Sequence, residues 1–211
     1  MAGKDKYKKE WHEFADMLKT GQRPNNFDDA WALVPKHISG MYEAEMRALW
    51  DILSNESIRT MAEVGRNLGG TLFMFGCACD ILQYVSSVDI AWYDVSDEAL
   101  KDWFDSNEIE FDIEIINSAF VDYDDYDWPR AFDFVFIDGL HTGPAVKADI
   151  EIWKDHARLI GFHDYSDNKT NEHHRHFPDV VYEISKAARE NGWEQVGERG
   201  RSEIVFKTEN Y

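Results

Sequence analysis

The sequence predicts a doubly wound α/β fold, a mostly parallel sheet with helices on both faces. Three observations carry that expectation. From residue 59 onward, short apolar runs alternate with segments of helical periodicity, the pattern of strands joined by crossover helices. One of these runs, Phe132-Asp-Phe-Val-Phe-Ile137, is almost wholly apolar, as a strand covered on both faces must be. A glycine-rich turn, Gly65 to Gly70, separates the first apolar run from the helical segment after it, where such sheets turn toward a ligand.

Residues 7–19 set Trp11, Phe14, Met17 and Leu18 at helical spacing, and Gly21 and Pro24 stop the helix. A second apolar patch, Trp31-Ala-Leu-Val34, precedes Pro35, and a helix over 41–54 carries Met46, Leu49, Trp50 and Leu53 on one stripe. These segments make residues 1–58 an N-terminal helical extension ahead of an α/β domain over residues 59–211. Within that domain strands are expected near 60–64, 89–94, 111–117, 132–137 and 158–163, and helices near 71–85, 97–106, 143–156 and 179–191. The tail differs: Trp193-Glu-Gln-Val196 and Glu203-Ile-Val-Phe206, separated by Gly197 and Gly200, read as a hairpin of antiparallel edge strands.

At 211 residues, with 44% hydrophobic and 14% aromatic content, the chain can fill one substantial core. Its net charge of −19 opposes a phosphate backbone or an anionic membrane, so neither nucleic acid nor membrane is an expected partner. The basic N-terminus has no apolar segment after it and no 18 uncharged apolar residues run together, which reads as a soluble, cytoplasmic protein. Cys77 and Cys79, two apart in an expected helix, diverge rather than face each other and read as small core residues.

The polar residues expected at the strand ends converge on one rim, where ligands bind in such sheets. Glu63 ends the first strand, and Gly65, Gly69 and Gly70 offer backbone without a Cβ. Asp94 lies 24 residues past Gly70, near the spacing at which a second-strand carboxylate meets ribose hydroxyls. Asn117-Ser118, Asp138 with His141, and His163-Asp164 follow on the next three strands. Singly, each has an ordinary explanation as a cap, a turn residue or a satisfied core histidine; jointly they describe a site. The loop reads Glu-x-Gly-x-x-x-Gly-Gly, wider than the Gly-x-Gly-x-x-Gly of nicotinamide enzymes, which disfavours a dehydrogenase.

The succession Glu-Val-Gly-x-x-x-Gly-Gly-Thr, Tyr-Asp-Val-Ser, Phe-Ile-Asp-Gly-x-His and Phe-His-Asp-Tyr resembles a class I S-adenosylmethionine-dependent methyltransferase. It is most similar to the small O-methyltransferases whose fourth strand ends Ile-Asp-Gly-Asp-His and whose fifth ends His-Asp. The resemblance covers residues 38–207, including Ile38-Ser-Gly-Met-Tyr-Glu43 near the substrate mouth. It implies a Rossmann-like sheet of seven strands with the last antiparallel, S-adenosylmethionine as cofactor, and a small hydroxylated acceptor, a sugar or a phenolic. Glu63, Gly65, Gly69 and Gly70 would surround the methionine part, Asp94 would accept the ribose hydroxyls, Val95 would flank the adenine, and Ser118 and Ala119 would lie near its edge. Asp138, His163 and Asp164 stand where metal-dependent relatives hold a divalent ion, here magnesium, manganese or zinc, with Asp138 and His141 as the catalytic pair and His141 as base.

Departures from the pattern are specific. Leu140 replaces the second acidic residue of Asp-Gly-Asp-His, the Pro-Gly-Gly turn before the fifth strand is missing, and His163 stands where some relatives have an acid. A histidine there shifts metal preference away from magnesium. The first two departures support the alternative, a non-catalytic nucleoside- or partner-binding protein that keeps the fold. The runs Asp122–Asp127 and Asn171–His176 read as solvated loops. The helix at 7–19 either covers the pocket or pairs with a second subunit, so a homo-oligomer stays open.

Overall fold

The computed structural model describes residues 2–90, 94–115, 131–166, 177–197 and 202–208. Four helices come first: α1 (Ala2–Leu18), α2 (Phe27–Leu33), α3 (Lys36–Ser39) and α4 (Glu43–Asn55). The alternation then runs β1 (Thr60–Val64), α5 (Gly70–Ala78), β2 (Tyr84–Asp89), α6 (Asp94–Ser106), β3 (Glu110–Ile115), β4 (Phe132–Ile137), α7 (Gly143–Trp153), β5 (Ala157–Phe162) and α8 (Pro178–Glu190). The hairpin β6 (Glu194–Val196) and β7 (Ile204–Lys207) closes the sheet.

The seven strands lie in the order β3-β2-β1-β4-β5-β7-β6. β1 through β5 are parallel, while β7 runs antiparallel to β5 and to β6. The chain winds outward from β1 in one direction through β2 and β3, then returns to lay β4 on the other side of β1. This reversal opens a crevice between the carboxyl ends of β1 and β4, the place where such folds bind ligands.

Strand alternation divides the interior into two clusters. Met61 of β1 and Phe134 and Phe136 of β4 pack with α1, α2, α4, α5 and α6 on one face. Ala62, Val64, Val135 and Ile137 pack with α7 and α8 on the other. Every residue of α5 is buried, which accounts for its uniformly apolar sequence. The apolar stripe of α1 is used within the chain: Phe14 meets Phe73 edge-on with ring centroids 5.8 Å apart, and the Trp103 indole donates to the carbonyl of Gln22 at 2.9 Å. Residues of 1–58 and of 59–211 therefore share one core.

The second strand differs from expectation. It spans Tyr84–Asp89 rather than 89–94, and α5 stops at Ala78 rather than near 85. Ser86 and Ser87 are fully inside the strand yet polar, which weakened its apolar signal, while the following Ile90-Ala-Trp-Tyr93 has the composition that drew the expectation. Cys77 and Cys79 are buried, and burial pushes both thiols up to about 12, the state of inert core thiols.

Candidate functional site

The loop leaving β1 is held by contacts within the protein. Gly65 has φ +92° and Gly69 φ +79°. A Cβ on Gly65 would collide with the carbonyl of Asp138, and one on Gly69 with the side chain of Leu100. The bare backbone expected to approach a ligand thus also lets the loop close on the exit of β4 and on α6. Asn67, at φ +49°, takes the left-handed conformation that asparagine tolerates, and its amide donates to Asp89 Oδ2 at 2.7 Å. Between these turns Arg66 is buried, its Nε and Nη2 each 2.8 Å from one oxygen of Asp97 and its Nη1 3.1 Å from Ser87 Oγ. This two-pronged pair ties the loop to β2 and α6, and no sequence pattern announced it.

Glu63 sits at the crevice with 1% of its surface exposed, and its Oε2 has no hydrogen-bond partner among the described residues. Burial, followed by the charge of Asp138, raises its carboxyl well above the usual range. A buried polar atom left unpaired beside an open crevice is one that a ligand's donor would satisfy.

The carboxylate that ends β2 is Asp89, only 19 residues past Gly70, closer to the spacing of about 20 than Asp94 is. Asp94 and Val95 instead begin α6, so the strand-end argument made for Asp94 transfers to Asp89. Ser118 and Ala119 lie outside the described residues, as do Asn117, the acidic run at 122–127 and the histidine-rich segment at 171–176.

Across the crevice, one ligand atom each from Asp138, His141 and Asp164 lie within 4.8 Å of one another. His141 Nδ1 pairs with Asp164 Oδ2, and that contact raises the imidazole pKa above its ordinary value. The ring also stacks on Phe177 with centroids 5.2 Å apart. Asp164 itself has φ +59°, an uncommon conformation for a residue with a side chain and one that clusters at functional sites. Leu140 projects beside this group, 56% exposed.

His163, placed in the metal set by the sequence, stands beside that trio, with Asp164 Oδ1 3.7 Å from its Nδ1. Its Nδ1 lies 3.0 Å from Asp138 Oδ1, and its Nε2 faces Ser202 Oγ at 3.5 Å and Glu45 Oε2 at 3.7 Å. Burial alone would lower its pKa, yet Asp138 foremost and then Glu45 and Asp164 hold it well above the ordinary value. His163 thus lies between Glu45 at one nitrogen and Asp138 with Asp164 at the other, and the imidazole within the trio is His141. Asp149 of α7 lines the same cavity, 1% exposed and with Oδ1 unpaired among the described residues; burial pushes its carboxyl up to about 7.

Comparison with known proteins agrees with this geometry. The methyltransferase domain family matches residues 62–165, from β1 to just beyond Asp164. Among solved structures, the chain is similar to the O-methyltransferase TomG of Streptomyces achromogenes, involved in tomaymycin synthesis and solved with its cofactor SAM, at 13% identity and TM-score 0.53, covering 89% of this chain and 91% of that one. An O-methyltransferase from Bacillus cereus in complex with SAH aligns at 14% identity and TM-score 0.51 over 88% and 91% of the two chains. A ribosomal protein L11 methylase from Lactobacillus delbrueckii subsp. bulgaricus aligns at 15% identity and TM-score 0.52 over 82% and 80%. No curated protein sequence matches the chain.

Proposed function

We propose that this protein, whose residues 62–165 match the methyltransferase domain family, transfers a methyl group from S-adenosylmethionine to an oxygen of a small hydroxylated molecule, a sugar or a phenolic. The observation that carries this reading is the convergence of Asp138, His141 and Asp164 across one crevice from the Glu63 to Gly70 loop. Glu63, Gly65, Gly69 and Gly70 surround the methionine part of the cofactor, with the unpaired Glu63 Oε2 as acceptor for a cofactor donor. Asp89 accepts the ribose hydroxyls, since a carboxylate at that strand end can take two vicinal donors.

Methyl transfer is an in-line displacement from an already activated sulfonium, so alignment supplies most of the acceleration, up to about 7–11 kcal/mol where the geometry is near attack. Asp164 occupies Nδ1 of His141 and leaves Nε2 to take the acceptor's hydroxyl proton, the arrangement of an oriented general base. Phe177 stacks on the same ring and restricts its rotation. Asp138, held by His163 through Oδ1, directs the acceptor oxygen. The two carboxylates and His141 also fit a divalent ion, and a nitrogen in the set favours manganese or zinc over magnesium. When bound, such an ion lowers the pKa of the acceptor hydroxyl.

Isothermal titration of S-adenosylmethionine and S-adenosylhomocysteine, with and without manganese, zinc or magnesium, tests this reading, followed by methyl transfer to a panel of sugars and phenolics. Asp89→Ala is expected to abolish cofactor binding while Asp94→Ala retains it. Wild-type protein that binds neither nucleoside would overturn the proposal.

A further inference from the structure

We propose that Glu45, in the first turn of α4, is a positioning residue for the reaction: with Ser202 it fixes the ring of His163, and through His163 the direction of the Asp138 carboxylate. The inference rests on the methyltransferase reading above and extends it to a segment that the family match does not reach.

Glu45 is wholly buried. Its Oε2 accepts the backbone amide of Tyr42 at 2.9 Å, the returning half of a capping box at the start of α4. Its Oε1 accepts the hydroxyl of Ser202 at 2.5 Å, and the backbone of Ser202 is in turn held by the amide of Tyr165, which donates to the Ser202 carbonyl at 2.7 Å. Ser202 Oγ and Glu45 Oε2 both face Nε2 of His163, whose other nitrogen is on Asp138. Three parts of the chain distant in sequence, the α4 start, the β5 end and the approach to β7, are thereby joined in one line that ends at a reacting carboxylate.

The helix cap alone does not explain the residue. A buried carboxylate is costly unless an opposite charge and hydrogen bonds hold it, and a neutral glutamine would still cap Tyr42 through its carbonyl oxygen, with its amide donating to Ser202 Oγ. Burial raises the Glu45 carboxyl, yet its contacts with His163, Ser202 and the Tyr42 amide together bring it below the ordinary value. What the carboxylate adds over the amide is an anion opposite Nε2, which holds the ring between Glu45 on one side and Asp138 on the other. One Asp138 oxygen is then fixed on His163 and the other is aimed into the crevice. Such partners behind a site's direct contacts are worth about 10- to 100-fold in activity.

The experiment compares Glu45→Gln and Ser202→Ala with Glu43→Gln, a change to an exposed residue of the same helical turn. In protein labelled with 15N-histidine, the side-chain signals of His163, identified by their loss in His163→Asn, are expected to shift in the first two variants and stay put in the third. With the acceptor found by the hydroxyl panel, Glu45→Gln is expected to lower kcat by about 10- to 100-fold while S-adenosylmethionine affinity and the acceptor KM stay within about twofold. Unshifted His163 signals, an unchanged kcat, or a loss confined to cofactor affinity would overturn the assignment. Should no acceptor turn over with wild-type protein, the methyl-transfer reading fails on its own, and the histidine spectrum still upholds or refutes the link from Glu45 to His163.

Discussion

At the scale of single residues the interior of this protein carries carboxylates in two conditions. Glu45 is compensated on both oxygens, whereas Asp149 has no partner for Oδ1 among the described residues and is buried to 1% exposure. Burial pushes the Asp149 carboxyl from an ordinary 3.8 up to about 7. The folded protein therefore holds a proton that the unfolded chain has already released between about pH 4 and pH 7. With the folded value above the unfolded one, the stability from this group is full below the unfolded pKa and is lost as pH rises through the folded one. Asp149→Asn mimics the protonated form at every pH. The variant is expected to match wild type near about pH 4 and to exceed it by on the order of 2–4 kcal/mol at about pH 8, read as the difference between urea unfolding curves at the two pH values. Equal gaps at both would remove Asp149 as the titrating group.

At the scale of elements, the joint that matters is the one among the β1 exit, β2 and α6, where Arg66 spans to Asp97 and Ser87. Removing one member of a buried pair leaves the other charge uncompensated, at a cost of about 3–5 kcal/mol. Arg66→Met is expected to lose that much in urea unfolding, and Arg66→Met with Asp97→Leu to recover most of it. A single variant as stable as wild type would show that the pair does not brace the loop. This joint also marks the limit of what could be read from sequence. β1 and β4 were legible, with observed limits at Thr60–Val64 and Phe132–Ile137, because their apolar runs are continuous and bounded by turns. So was the antiparallel hairpin. β2 was misplaced because Ser86 and Ser87 are buried polar residues, Ser87 accepting from Arg66, and periodicity cannot register a hydroxyl that answers a distant guanidinium. Asp138, His141 and Asp164 were legible as a cluster because their strand ends are adjacent in any sheet of this winding. The engagement of His163 Nε2 by Glu45 and Ser202 was not, since both come from segments with no local motif.

At the scale of the whole molecule, the N-terminal helices belong to the same body as the sheet. Phe14, Leu18, Met46, Leu49 and Leu53 are each at most 2% exposed, and they lie in one cluster with Phe73, Trp103, Phe134 and Phe136. Without residues 1–58, one face of α5 and α6 would be open to water over several large side chains, each worth about 1.5–3 kcal/mol when fully buried. Against a typical net stability of about 5–15 kcal/mol, that loss exceeds what the remaining fold can absorb. The net charge of −19 adds self-repulsion in the same direction. A chain beginning at residue 59 is therefore expected to lack a cooperative thermal transition and to bind the dye ANS, the behaviour of a compact state without fixed packing. High salt, which screens the repulsion, is expected not to restore the transition, because the missing contribution is apolar. A truncated chain that melts sharply in low salt would mean that the helical segment is an independent appendage, and Glu45 could then not be an integral part of the site.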